Sequence, residues 1–402
     1  MKRRVAVVGL GVVSALGHGR PAFESGLRLC RAGLSGGVFT VYPRLTNSGE
    51  TKLGVVPGPR ERSGSPGLDS FARFALEAAR EAIAEAGVAS LPHFQERAAV
   101  ILGTASGGED AREEAWERVS ARQSKPHPLT VVRVMANAAV GAVCMAFGLR
   151  GPAYTISTAC ASSSHAIGQA YQMVRSGAVD YAVTGGSEGL PGHTQFCAWQ
   201  QMRVLADGPC RPFAEERSGI TLAEGAAVLV LESLLEAQAR GTHIYAELTG
   251  FSMGSDGGAD WLNADPDGML RCMKDALEDA ATGADELSYI NAHATGTLRG
   301  DAAEAEAIRR LLDGARVMVS STKALHGHTL GATGALEAAA TILGLEGGWV
   351  PGMPTAAPDR SLGLDLVWQQ PGTAPASLRG PVALSNSFGF GGLNAALVFR
   401  RI

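Results

Sequence analysis

Charge is scarce in this chain. Asp, Glu, Lys and Arg make up 18 % of its 402 residues, the net charge is −4, and no lysine–arginine tract occurs. That composition excludes a broad electrostatic attraction for nucleic acid and a highly charged disordered segment. Paired cysteines are lacking too. The six (30, 144, 160, 197, 210, 272) form no C-x-x-C, which argues against a disulfide framework or a structural zinc site. No apolar stretch is long and glycine-free enough to span a bilayer. The run after Lys2-Arg3-Arg4 is broken by Gly9 and Gly11, so it reads as a buried first strand and not as a leader. What is abundant is glycine, with 52 residues. This is the profile of a compact α/β enzyme, expected to be soluble and cytoplasmic.

The length exceeds one ordinary core and predicts two domains or two fused halves. Short apolar runs predict strands over 5–8, 98–102, 181–184, 226–231, 244–250, 289–292, 317–320 and 382–385. A glycine turn is expected after Val8, and Gly185-Gly186 is expected to end the third run. Helical periodicity covers 69–86, 131–147, 268–281, 302–312 and 332–345, and a polar passage from about 33 to 67 reads as surface loop. Both halves begin with strand, glycine turn and loop. They share no sequence repeat, so the duplication is topological, with a seam near 245 dividing 1–245 from 246–402.

Cys160 lies where the β-branched stretch Tyr154-Thr155-Ile156 passes through small residues into a helical pattern. A cysteine at such a turn faces the positive end of the helix, which favours thiolate, and free N–H groups nearby can hold an oxyanion. Two histidine motifs lie downstream, Asn291-Ala292-His293-Ala294-Thr295-Gly296-Thr297 and Leu325-His326-Gly327-His328. One cysteine with two separate histidines points to acyl-thioester chemistry. The structural readings are a small buried hydrophobe for a lone cysteine, which suffices for Cys144 and Cys272, and a satisfied surface residue for a histidine. His165 is placed to be structural. His326-Gly327-His328 on a strand could offer two metal ligands, but carboxylates or cysteines at supporting spacing are missing. Gly9-Leu10-Gly11 resembles a dinucleotide fingerprint without its third glycine, which leaves a nucleotide-dependent oxidoreductase as a remote alternative.

Across essentially its whole length the chain resembles the β-ketoacyl-acyl carrier protein synthases of the elongating KAS I/II-like branch of the thiolase superfamily. The likeness rests on the Cys160 turn, Asn291–Thr297, Ser320-Ser321-Thr322-Lys323, Gly327–Gly334 and Asn386-Ser387-Phe388-Gly389-Phe390-Gly391-Gly392. It implies a thiolase-like α/β fold of two similar halves in αβαβα layers, and an acyltransferase that performs decarboxylative Claisen condensation. It implies that Cys160 takes an acyl group from acyl carrier protein, with the N–H groups of Cys160 and Phe390 as oxyanion hole. His293 and His328 would hold the malonyl carbonyl, with Lys323 and Glu337 keeping His328 in place. Thr295 and Thr297 would contact the phosphopantetheine arm that arrives on the carrier, Phe390 would gate the pocket, and Ser106 and Trp199 would line the acyl site. No metal or redox cofactor is implied. The implied assembly is a homodimer, or the catalytic half of a ketosynthase/chain-length-factor heterodimer, in fatty acid or polyketide/polyene elongation. Leu393, Ala294 and Gly296 depart from the pattern, and none removes a reacting group.

Overall fold

The computed structural model describes residues 2–34, 36–37, 52–58, 67–258, 261–262, 264–354 and 357–402. Most of the loop expected at 33–67 therefore lies outside the described residues. Ten strands of a twelve-stranded sheet fall into two sets of five. The first holds β1 (Val5–Ser14), β2 (Ala98–Gly103), β3 (Ala153–Ile156), β4 (Tyr181–Glu188) and β5 (Gly225–Ser233). The second holds β6 (Ala246–Ser255), β7 (Leu287–Asn291), β8 (Met318–Ser320), β9 (Val382–Gly389) and β10 (Leu393–Arg400).

In each set the spatial order is third, second, fourth, fifth, first. The first three strands of that order are parallel, and the last two join antiparallel, in both sets. The duplication expected from the pattern is thus present in topology. The sets meet through β1 and β6, where Val5, Ala6 and Val7 pair with Leu248, Glu247 and Ala246.

Each set carries three helices at matching places. These are α1 (Ser70–Ala86), α2 (Ala138–Phe147) and α3 (Ser162–Ser176), then α4 (Pro266–Asp279), α5 (Leu298–Leu312) and α6 (Thr333–Gly347). Three cores result. One joins α1 and α2 to the first set through Ala75, Ala79, Val100 and Val228, and another joins α4 and α5 to the second through Met273, Ile308 and Leu384. The third lies between the sets and holds Ile167 and Tyr171 of α3 with Leu336 and Leu343 of α6. Helix, sheet, helix, sheet, helix is the resulting layering. Among the described residues no helix is long and apolar enough to cross a membrane.

Three local expectations are corrected. Gly9 and Gly11 form no turn; β1 continues through them, with a shift of register against β5 between Val7 and Gly9. A Cβ there would stand 2.1 Å from the Ala82 carbonyl oxygen and 1.9 Å from that of Ala78, so these glycines let the α1 backbone lie directly on the sheet. Gly185-Gly186 does not end a strand, because β4 continues to Glu188. The helix expected over 131–147 is two pieces, Thr130–Val134 and α2.

Candidate active site

Ligand sites in α/β sheets gather beyond the carboxyl ends of parallel strands. Three of those ends converge here: β3 runs out at Ile156 just before Cys160, β7 at Asn291 before His293, and β8 at Ser320 before Lys323. The β3–α3 connection is tight. Ala159 takes the left-handed conformation (φ 51°), a conformation side-chain-bearing residues rarely adopt. The turn is held by the Thr158 N–H donating to Ser162 Oγ (2.9 Å) and by Ser162 Oγ donating to the Ala159 carbonyl (2.6 Å). His165 adds a clamp, with Nδ1 at 2.7 Å from Thr158 Oγ1 and Nε2 donating to the Asn394 carbonyl at 3.0 Å, the structural role expected of it.

Cys160 Sγ sits 3.2 Å from His328 Nε2, and the His293 and His328 rings meet edge to face at 5.5 Å. The Phe390 N–H points at the sulfur. It belongs to the hairpin β9–β10, whose second strand the apolar pattern did not predict, and Gly391 and Gly392 take positive φ to make that turn. The expectation of a ready thiolate is corrected. Burial pushes the Cys160 thiol up to about 11, outweighing the Lys323 charge and the Phe390 N–H. Burial also holds both imidazoles neutral, His293 and His328 falling well below the ordinary histidine value with Lys323 adding to the effect. The resting pair is a thiol beside a neutral imidazole.

Lys323 contacts a different histidine from the one expected. Its amine reaches His293 Nδ1 (3.3 Å) and the His293 carbonyl, and it pairs with the buried carboxylate of Glu337. The Glu337 carboxyl is raised to about 8 by burial, against the pull of Lys323. Because the Lys323 amine donates to Nδ1, the His293 ring proton resides on Nε2. That N–H faces the cavity as a donor. His328 Nδ1 has no hydrogen-bond partner among the described residues, so its ring is free to carry the proton on either nitrogen.

The sulfur and imidazole nitrogens lie within 4.8 Å of one another, close enough in principle for a zinc ion. A lone pair is what a metal needs from His293, whereas Lys323 arranges an N–H there. The set suits a developing oxyanion better than a cation. His326 turns away to Thr322 Oγ1 (3.0 Å) and the Phe23 ring, so the two histidines of H-x-H do not converge.

A cavity of about 330 Å³ leads from the surface to these groups; Thr295, Thr297, Arg203, Arg299 and Trp261 line it along with Cys160, His293, His328 and Phe390. Trp199 packs on Phe390 at 5.9 Å, and Ser106 accepts a hydrogen bond from Gln195 (3.1 Å) on the same helix, His193–Gln201.

Two buried carboxylates escaped the sequence reading. Glu304 accepts from the His293 N–H (2.9 Å), the Ala294 N–H (2.7 Å) and Asn386 Nδ2 (3.1 Å), which fixes the His293 backbone. A signal existed: Asp301 and Glu304 fall on the apolar face of α5 with Ala305 and Ile308. Glu188 accepts from Thr104 Oγ1 and from the N–H groups of Ala105, Ser106 and Gly331, tying strand β4 to both halves of the site. Its partners are too distant in sequence to leave any local mark.

Two family models match the chain. One, described as beta-ketoacyl synthase, N-terminal domain, covers residues 2–237; the other, beta-ketoacyl synthase, C-terminal domain, covers 245–356. Nodulation protein E of Rhizobium sp. (strain N33) is 35 % identical over 409 residues, and the alignment covers 100 % of both chains. The 3-oxoacyl-[acyl-carrier-protein] synthase 2 of Vibrio cholerae serotype O1 is 34 % identical over 420 residues, again with 100 % of both covered. Among solved structures, the ishigamide ketosynthase/chain length factor superposes with a TM-score of 0.90 at 29 % identity over 100 % of each chain.

Proposed function

The chain belongs to the β-ketoacyl synthase family, and from that premise we propose that it extends acyl carrier protein-bound chains by condensation on Cys160. The observation that carries this reading is the placement of one buried thiol against His328 Nε2, with His293 beside it and the Phe390 N–H on the sulfur. Sulfur attacks the thioester carbonyl of the acyl carrier protein as its proton passes to His328. The proton then leaves with the departing pantetheine sulfur. N–H groups of Cys160 and Phe390 face the oxyanion.

A malonyl thioester then enters with its carbonyl oxygen between His293 Nε2–H and His328. Loss of CO₂ leaves an enolate that these donors stabilise. Its carbon attacks the acyl-cysteine carbonyl, the C–S bond breaks, and the cysteine thiolate takes a proton from water. Lys323 and Glu337 act through His293, while Thr295 and Thr297 flank the arm of the carrier in the mouth. No step calls for a metal or redox cofactor, so none is proposed, and the setting proposed is the cytoplasm, with the two halves divided near residue 245.

The assembly proposed is a dimer. Among the described residues β3 ends the sheet with an unpaired edge, and the exposed side chains of Val131, Val132, Met145 and Tyr154 lie on it and on the helices nearby. A homodimer is the first reading. The likeness to a ketosynthase/chain length factor favours, as the second, the catalytic half of such a heterodimer in polyketide or polyene elongation. The test is mass spectrometry after incubation with acyl carrier protein thioesters. An acyl mass on Cys160, absent from Cys160→Ala, is expected; no adduct at any chain length overturns the reading.

A further inference from the structure

The acyl group on Cys160 needs a place to go. The mouth is taken by the arm that delivers it, and the side of His293 and His328 must receive the second substrate. The wall that remains is the Phe390 ring, seated between Gly389 at the end of β9 and the two positive-φ glycines Gly391 and Gly392. Behind that ring is Trp199 at 5.9 Å, and one helical turn from Trp199 is Gln195. Once Phe390 swings off Trp199, the acyl chain meets Leu330 and Phe196, which pack with Trp199 and Ala105 in one apolar cluster.

At the edge of that cluster, next in the chain to Phe196 and Ala105, stands a polar pair. Gln195 Nε2 donates to Ser106 Oγ (3.1 Å), while Gln195 Oε1 is buried and has no protein partner among the described residues. Ser106 cannot drift away, because its N–H is held at 3.0 Å by the fully buried Glu188, which also fixes Ala105 and Gly331. A buried amide oxygen left without a partner is costly, and that cost vanishes when a ligand supplies the missing hydrogen bond. A plain hydrocarbon cannot supply it.

Resting on the proposed condensation, we infer that Gln195 and Ser106 select an acyl group carrying a hydroxyl, which can donate to Gln195 Oε1, over the saturated chain of equal length. A hydroxyl both donates and accepts, so it satisfies the pair in either orientation of the Gln195 amide.

The experiment is single-turnover acylation of the full chain, read as the mass added to Cys160. The probes are acyl carrier protein thioesters of one length, either saturated or bearing one hydroxyl at successive carbons. At least one hydroxylated position should acylate about tenfold faster than the saturated chain. Gln195→Leu should pull that ratio towards one, and Ser106→Ala, a smaller change that spares the fold, should pull it the same way. The inference is overturned if the saturated chain matches every hydroxylated one, or if the ratio survives both substitutions. Acylation that is efficient but indifferent to the hydroxyl sinks this inference alone, whereas no adduct from any probe sinks the condensation reading as well.

Discussion

The two halves of this molecule share one strand order, yet their central helices are entered differently. β3 reaches α3 through residues 157–161, a connection tight enough to force Ala159 into the left-handed region. β8 reaches α6 through residues 321–332, which carry Lys323, His326 and His328. The short connection presents one residue, the Cys160 sulfur with its own N–H, at a fixed point. The long one has room for a base, a buried ion pair and a turn that aims His328 across the seam at Cys160. Duplicate scaffolds have divided the work by the length of one loop.

That contrast can be broken in order of expected effect. Cys160→Ala removes the nucleophile that the short connection carries, and condensation should fall by at least about 10⁴-fold, measured as product formed from acyl and malonyl carrier thioesters. Substituting the histidines separates the steps. His293→Ala should let acyl-enzyme build up while CO₂ release slows by about 10²–10³-fold; His328→Ala should slow both, since it faces the sulfur as well. Equal effects of the two on acylation would contradict the assignment.

Lys323→Met leaves Glu337 buried without its partner. A loss of about 3–5 kcal/mol in denaturant unfolding is expected, with most of it restored by adding Glu337→Leu. The thiol provides a pH test. Its value in the folded protein is about 11 against an ordinary 9.0. The stability contributed by the protonated form is therefore present below about pH 9 and is lost as pH rises through about 11. Iodoacetamide labelling of Cys160 should accordingly keep climbing beyond pH 9; a plateau at 9 would show an ordinary thiol. The smallest effect belongs to Ala159→Gly, which relieves the left-handed strain and should raise stability by about 1 kcal/mol in thermal unfolding.

Much of this was legible in the chain itself. The Cys160 turn, both histidine motifs and the glycine loop after Asn386 are local patterns, and local patterns survive without a structure. Gly9 and Gly11 misled because a glycine admitting a neighbouring helix looks, in sequence, the same as a glycine making a turn. The thiol misled because the helix end beside it is visible in the pattern, whereas the burial that opposes it is a sum over the whole fold. For Lys323 the resemblance implied support for His328 and its surroundings; that the amine rests on His293 Nδ1 is a contact between separate strand ends that only the folded chain shows. Glu188 reaches partners on two separated segments, 104–106 and Gly331, and nothing short of the folded chain brings them together.

The site spans the junction where β1 meets β6, and this orders events during synthesis. A ribosome that has released only the first set of strands has already made the nucleophile, but neither histidine, nor the Phe390 N–H, nor the lysine that sets the proton on His293. The cysteine at that stage has no base beside it and no partner helix covering α3. Reactivity therefore waits for the second set of strands, because every group that completes the site around Cys160 lies there.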